Sequence, residues 1–251
     1  MHILLTILFP LLFLTSCYEK DFSTPAQKQI DEYRQIGRMC MAKKAPINHS
    51  EAEINQEEPL PTAPIDTRTM FMIQKDDIVL GNPLAKVVVF EYSAPTCAHC
   101  AYFHKTFLPT LKAKYIDTNK IAYVIRSFIS NKQDLDAAIL TRCIPQEQFL
   151  KIITILYAQQ ESWAFNSNYR EILTNIGQLS GLTPANYNEC IANTGFADFL
   201  INNTRAIAHL PKFMGTPSFV IDGQLLETAY TLENLSKSID QAILKNEKSE
   251  N

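Results

Sequence analysis

Apolar and polar residues along the chain follow patterns that predict alternating strands and helices from about residue 67 to residue 245. The run at 87–92 (VVVFEY) is apolar and β-branched, which is typical of a buried strand. Apolar residues then recur at helical spacing over 98–115, and we expect Pro109 to kink that helix because proline removes a backbone hydrogen bond. A further strand at 121–129 completes a predicted right-handed βαβ unit.

The other predicted elements lie on either side of that unit. Further strands are predicted at 70–73, 77–80, 218–221 and 224–226. Helical spacing persists over about 132–208, an Asp222-Gly223 turn joins the last two strands, and a final helix runs from Thr231 to about Leu244. This order of elements predicts a thioredoxin-like fold with an all-helical insertion.

Residues 1–17 are expected to be a secretory signal, because their apolar core from Ile3 to Leu14 is too short for a comfortable membrane span. The end of this segment, LTSC, resembles a bacterial lipobox, in which Cys17 would be lipidated and become the new N-terminus. No Lys or Arg precedes the apolar core, so conventional cleavage near this point is the alternative. Either outcome takes the chain out of the cytoplasm, to a compartment where disulfides persist.

Residues 18–66 predict a helix followed by a linker. A narrow apolar seam over 25–44 fits either an oligomerisation stalk or a tether helix that lies on the domain. Residues 46–64 are rich in proline and glutamate and contain no aromatic residue, which is linker composition. The sequence suggests no role for Cys40. At the other end of the chain, residues 246–251 are expected to be disordered.

Composition and charge narrow the classes of function. The 251 residues are 46% apolar, which is enough for one globular domain with a substantial core. The net charge of −3 gives no electrostatic case for binding nucleic acid. Specific information about function therefore comes from motifs rather than from bulk properties.

The most informative motif is CAHC at residues 97–100, which lies where the strand at 87–92 passes into a helix. Cys97 is at the predicted helix N-terminus, where unpaired backbone N–H groups and the helix dipole favour a thiolate. The thiolate is the nucleophile of disulfide exchange, so the pair of Cys97 and Cys100 predicts dithiol–disulfide redox chemistry. Haem attachment would need histidine in place of Ala101, and a zinc site would need a second close pair of ligands.

The motifs resemble those of the DsbA-type thiol:disulfide oxidoreductases of the bacterial envelope. The matching stretches are 90–93 (FEYS), 96–101 (TCAHCA), 103–104 (FH) and 215–219 (GTPSF). The resemblance covers about 77–244 and implies an α/β thioredoxin-like fold with an all-helical domain inserted between the third and fourth strands. It also implies that the bond before Pro217 is cis, that this proline faces the redox pair, and that Thr216 and Pro217 bind the substrate.

Resemblance and chemistry together suggest roles within the motif. Cys97 is the exposed attacking cysteine, and Cys100, one helical turn deeper, is the other half of the redox disulfide. His99 would stabilise the thiolate by a positive charge or a hydrogen bond, with a plain solvated residue as the alternative. Ala98 stands where the oxidases commonly have proline, which affects the redox potential but not the class of reaction. His104 is expected on the surface of the same helix.

Glu91 is six residues before Cys97, on the strand that leads to the motif. The family often has a buried acid at this position, which relays protons to the deeper cysteine. The resemblance therefore implies a proton-relay role for Glu91. A carboxylate that points outward from an edge strand is the alternative.

Cys143 and Cys190 both lie in the predicted helical block, 47 residues apart. In an oxidising compartment such a pair predicts a structural disulfide, which would contribute ~4 kcal/mol on the chain-entropy estimate. Two buried free thiols are the alternative. Trp163, in the same block, is expected in its core rather than in a binding site.

The sequence therefore predicts a periplasmic oxidoreductase that oxidises the thiols of reduced or unfolded secreted proteins. The resemblance implies that a quinone-linked membrane partner regenerates its disulfide, and we expect no cofactor or metal. A disulfide isomerase or reductase that oligomerises through 25–44 is the alternative among enzymes. A metal-handling or binding lipoprotein is the alternative from a different class.

Overall fold

The structure is a computed structural model, and it describes residues 71–249. The predicted signal with Cys17, the predicted helix and linker over 18–66 with Cys40, and Met70 lie outside the described residues. Among the residues described, no helix is both long enough and apolar enough to span a bilayer.

A mixed five-stranded sheet forms the centre of the described part of the chain. Its strands are β1 (Val79–Gly81), β2 (Val87–Ser93), β3 (Ile121–Ser127), β4 (Ser218–Ile221) and β5 (Gln224–Leu225). The spatial order is β1-β3-β2-β4-β5, with β2 parallel to β3 and antiparallel to β4. The central strand β2 is therefore paired on both edges, and the predicted βαβ unit is confirmed.

The run at 70–73 was predicted to be a strand, and the structure corrects this. Residues 71–73 form a turn, a bend and irregular chain. The Met72 carbonyl accepts a hydrogen bond from the Arg126 guanidinium at 2.8 Å instead of pairing with a strand. The next predicted strand is confirmed and forms the edge strand β1.

The helix predicted over 98–115 is interrupted. It consists of α1 (Ala98–Thr106), α2 (Leu108–Leu111) and a π-helical turn (Lys112–Ile116). The break falls at Phe107, and Pro109 occupies one of the first two positions of α2. A proline at the start of a helix leaves no hydrogen bond unmade, because the first N–H groups have no partner within the helix.

Between β3 and β4 the regular structure of the described chain is entirely helical. Its helices are α3 (Lys132–Leu140), α4 (Phe149–Ala158), α5 (Gln160–Trp163), α6 (Tyr169–Gln178), α7 (Pro184–Ile191) and α8 (Thr194–Ala208), with a 3₁₀ turn at Gln146–Gln148. Trp163 is fully buried in the core of this insertion, and its indole N–H donates to the Leu156 carbonyl at 2.9 Å. A disulfide joins Cys143, just after α3, to Cys190 in α7, with their Cα atoms 5.9 Å apart.

The chain ends in a hairpin and a long helix. Asp222 and Gly223, with φ of 48° and 77°, form the turn between β4 and β5, as their sequence predicts. Helix α9 (Leu232–Lys248) starts after Thr231, whose side chain accepts from the Asn234 N–H. It extends four residues beyond the predicted end, so residues 246–248 are helical rather than disordered. Lysines in the last turn of α9 favour this extension because they face the negative end of the helix dipole.

Candidate active site

Cys97 occupies the N-cap position of α1, where the strand β2 has just ended. Its backbone is extended, with φ −81° and ψ 117°, and its N–H donates to the Ala94 carbonyl at 3.0 Å. The Cys97 sulfur accepts a hydrogen bond from the backbone N–H of Cys100 at 3.3 Å. The first cysteine of the motif therefore lies at the positive end of the helix, where a negative charge is stabilised.

The Gly215-Thr216-Pro217 segment faces the redox pair across 119 residues of sequence. The Thr216–Pro217 peptide bond is cis. In its protonated form the Cys97 thiol donates to the Thr216 carbonyl at 3.3 Å. The fold thus brings the two most specific motifs of the sequence into direct contact.

The environment of Cys97 favours its thiolate. A hydrogen bond from the Cys100 thiol is the largest cause, and it is followed by partial burial, which acts in the opposite direction. Hydrogen bonds from the Thr216 side chain and from the backbone N–H groups of Cys100 and His99 lower the pKa of Cys97 further. Together they lower the pKa of Cys97 from 9.0 to about 6.

The second cysteine has the opposite character. Cys100 is fully buried, and burial strongly raises the pKa of its thiol. Hydrogen bonding to Cys97 and the negative charge of that thiolate raise the pKa further. Both cysteines are free thiols in this structure, Cys97 partly accessible and Cys100 enclosed. The arrangement exposes one thiol and encloses the other.

Glu91 is fully buried on the central strand β2, rather than exposed on an edge strand. Burial by itself raises the pKa of this carboxyl group. The charge of His104, together with hydrogen bonds from His104, Ser93 and Tyr123, outweighs burial and lowers the pKa below its ordinary value. Glu91 is therefore held as a carboxylate inside the protein.

His104 does not lie on the surface, as the sequence led us to expect, but is 6% exposed. Its Nε2 atom is 2.7 Å from Oε1 of Glu91, and its ring packs against Tyr157 with the ring centroids 4.4 Å apart. The prediction was wrong because a polar residue in a helix was assigned to the outer face. The spacing held a signal, since His104 is four residues after Cys100 and shares its face of α1.

His99 and Ala98 both lie at the surface, at the start of α1. Within the described residues, the His99 side chain makes no hydrogen bond. Its backbone N–H, however, helps to lower the pKa of Cys97. A role for the His99 side chain and an effect of Ala98 on the redox potential stay predictions.

Two side chains of the helical insertion hold the turn that carries Cys97, and sequence reasoning missed both. The buried side chain of Gln160 donates to the carbonyls of Pro95 at 2.8 Å and Cys97 at 3.0 Å. The buried Asp134 carboxylate accepts from the backbone N–H of Thr96 at 2.7 Å. No sequence pattern reveals these contacts, because they depend on how the insertion packs back onto the motif.

Within residues 71–249, no group of three or more His, Cys, Asp or Glu side chains is arranged to hold a metal ion. Cys143 and Cys190 are already bonded to each other.

Comparisons with known proteins agree with this geometry. The family model described as thioredoxin matches residues 74–241. A Rickettsia typhi protein named as a protein-disulfide oxidoreductase is 48% identical over 199 residues, which cover 78% of this chain and 73% of its own length. A Rickettsia felis protein with the same name is 39% identical over 264 residues, covering 93% and 92% of the two chains. The crystal structure of Wolbachia pipientis alpha-DsbA1 is 26% identical with a TM-score of 0.67, and the match covers 74% of this chain and 100% of that one.

The sheet order, the helical insertion and the dithiol at a helix N-terminus define a thioredoxin-fold oxidoreductase. The chain belongs to the thioredoxin family, and within it to the protein-disulfide oxidoreductases of the DsbA type. The resemblance seen in the sequence motifs is confirmed, and so is the fold class that it implied.

Proposed function

We propose that this protein introduces disulfide bonds into reduced or unfolded secreted proteins, by exchange through Cys97 and Cys100. The observation that carries the proposal is the contrast between an accessible Cys97, whose pKa is about 6, and a buried Cys100, whose pKa is strongly raised. A low pKa stabilises the reduced form as a thiolate. A dithiol that is stable when reduced has a disulfide that readily oxidises other thiols.

The reaction proceeds in two exchanges. A client thiolate attacks Cys97 of the oxidised protein, the Cys97–Cys100 bond breaks, and Cys100 leaves with the electron pair and takes up a proton. A second client thiolate attacks the client sulfur of this mixed disulfide, and Cys97 leaves as a stable thiolate. The client has then lost two electrons to the protein, which is left as the dithiol.

Glu91 is the proton carrier for the buried thiol in this scheme. Cys100 has no access to solvent, and its strongly raised pKa means that it must gain a proton when it leaves and lose that proton when it attacks. Glu91 is the fully buried carboxylate on the strand beneath α1. It is therefore the group that we assign to exchange protons with Cys100.

The client chain is expected to pair with Thr216 as an added strand. The Thr216 carbonyl is 3.3 Å from the Cys97 sulfur, so a cysteine in such a strand would lie beside the nucleophile. Pro217 carries no N–H of its own, which leaves Thr216 as the pairing residue at this position. Met214, which is 96% exposed two residues earlier, offers apolar surface for the client.

In the cell, we expect the protein to act in the periplasm, free or anchored through a lipidated Cys17. A quinone-linked membrane partner would return the dithiol to the disulfide state, as in the oxidases that the chain resembles. The disulfide between Cys143 and Cys190 supports a location outside the cytoplasm, because such bonds persist in oxidising compartments.

The test is the transfer of a disulfide to a defined client. The chain without its predicted signal, oxidised at Cys97 and Cys100, is mixed with reduced, unfolded ribonuclease A, and the loss of client thiols is followed. We expect about one disulfide transferred per protein, no transfer by Cys97→Ser, and full transfer by the Cys143→Ser/Cys190→Ser control. Failure of the wild type to oxidise this client would contradict the proposal. A preference for rescuing scrambled ribonuclease would instead indicate an isomerase.

A further inference from the structure

A set of buried polar side chains lies beneath Cys100, and the reaction described above uses only one of them. Glu91 and Ser93 are two residues apart on β2, so their side chains point to the same face of the sheet. Cys100 and His104 are four residues apart on α1, so they share the helix face that packs on that side. All four residues are buried.

The contacts within this set are short and converge on one carboxylate. The Ser93 hydroxyl donates to Oε1 of Glu91 at 2.5 Å, and Nε2 of His104 is 2.7 Å from the same oxygen. The Tyr123 hydroxyl donates to the other oxygen, Oε2, at 2.6 Å. Three hydrogen-bond donors fix the orientation of the carboxylate group. Glu91 is therefore held in place as well as held ionised.

Ser93 interacts with both this carboxylate and the buried thiol. Its hydroxyl donates to Oε1 of Glu91, and its interaction with Cys100 lowers the pKa of that thiol. A hydroxyl group can accept a proton on one side while it donates its own on the other. The Nδ1 atom of His104 has no hydrogen-bond partner within the described residues, so the imidazole engages the set only through Nε2.

We propose that Ser93 passes the proton of Cys100 to Glu91, and that His104 is the positioning residue that keeps the carboxylate able to receive it. The inference rests on the proposed function. When Cys100 resolves a mixed disulfide, its proton moves to the Ser93 oxygen as the Ser93 proton moves to Oε1 of Glu91. The Cys100 electron pair forms the bond to Cys97, and the partner sulfur leaves as a thiolate. When a client attacks the disulfide, the same protons move back.

The expected pH dependence follows from the groups that face Glu91. These are Ser93 on β2, His104 on α1, Tyr123 on β3 and Tyr157 on α4. Without the imidazole, burial would dominate and the pKa of Glu91 would rise. The carboxyl group would then be protonated at higher pH than in the wild type and would stop accepting the Cys100 proton there.

The experiment uses 5,5′-dithiobis(2-nitrobenzoate) as the oxidant and follows both released thiolates in one stopped-flow trace. Attack by Cys97 releases the first, and attack by Cys100 on the resulting mixed disulfide releases the second. We compare the wild type with His104→Leu, His104→Gln and Ser93→Ala over a range of pH. Lys105→Gln, an exposed change on the same helix, is the matched control.

In His104→Leu, we expect the first phase to stay within about twofold of the wild type. The second phase should slow about tenfold or more near neutral pH, with its midpoint moved to higher pH. His104→Gln, which keeps a donor, should be intermediate. Ser93→Ala should slow the second phase at every pH, and Ser93→Thr, which keeps a hydroxyl, should restore it. Far-ultraviolet circular dichroism establishes that each variant is folded.

An unchanged second phase and pH profile in both His104→Leu and Ser93→Ala would overturn this inference while leaving the proposed function intact. Absence of any second phase in the wild type would instead mean that Cys100 does not resolve mixed disulfides. In that case the proposed function itself fails. The two failures are therefore distinguishable in the same traces.

Discussion

The part of the chain that the structure describes contains two cysteine pairs whose environments differ in almost every respect. Cys97 and Cys100 are separated by two residues, lie at the start of a helix and are free thiols. Cys143 and Cys190 are 47 residues apart, join two parts of the helical insertion and form a disulfide. The comparison teaches that spacing and electrostatic environment, rather than the presence of two cysteines, distinguish a reactive pair from a structural one.

Loop length explains part of this difference. A disulfide restricts the unfolded chain more when it closes a longer loop, and a loop of this size gives ~4 kcal/mol on the chain-entropy estimate. The four-residue loop of the CAHC motif gains much less. Local stabilisation of the Cys97 thiolate lowers the stability of its disulfide further. The first pair can therefore open and close in a reaction cycle, and the second is suited to stay closed.

The largest effect that separates the pairs is expected from removing the long-range disulfide. Cys143→Ser/Cys190→Ser should lower the free energy of unfolding by up to ~4 kcal/mol and reduce the melting temperature, with disulfide transfer retained. Thermal unfolding of the oxidised proteins measures this. Two results would contradict a structural role for this pair. One is a variant that melts at the wild-type temperature, and the other is peptide mapping of protein from its own compartment that finds both residues as free thiols.

A smaller effect is expected at His99, the exposed residue between the reactive cysteines. His99→Ala should raise the pKa of Cys97 and make its disulfide less oxidising, because a favourable interaction with the thiolate is lost. The shift should be less than about one pKa unit, since interactions of exposed side chains are weak. A glutathione redox titration against Lys105→Ala measures it. A potential equal to that of the control would leave His99 as a solvated residue without a tuning role.

Most of the fold could be predicted from the sequence, because residue type and spacing within each segment indicate whether it forms a strand, a turn or a helix. The run at 87–92 and the Asp222-Gly223 turn depend on residue type and period, so their structure could be predicted directly. The position of Cys97 at a helix N-terminus could also be predicted, since a strand precedes it and a helix follows it. The end of α9 was misjudged because its last turns are polar, and polarity alone does not end a helix.

The parts of the site that could not be predicted are those made by long-range packing. Gln160 reaches the turn before α1 from the insertion, 63 residues away from Cys97. Tyr123 meets Glu91 because β3 pairs with β2, and the sequence gives no sign of that particular contact. His104 was predicted to be solvated, although it shares a helix face with Cys100. Polar residues in a helix are assigned outward by default, which fails where a buried acid provides a partner.

The low pKa of Cys97 also determines how the redox pair should depend on pH. Its value in the folded, reduced protein is about 6, against an ordinary 9.0. Stabilisation of the reduced form is therefore fully present above the ordinary value and is lost as the pH falls through about 6. The oxidising character of the disulfide should weaken over the same range.

The most direct test is a pH titration of the reduced protein, following thiolate absorbance in the ultraviolet, with Cys97→Ser and Cys100→Ser as matched variants. We predict one thiolate transition near pH 6 in the wild type, its loss in Cys97→Ser, and no transition from Cys100 in the accessible range. A wild-type transition near the ordinary thiol value, or one that persists in Cys97→Ser, would contradict the assignment of Cys97 as the activated nucleophile.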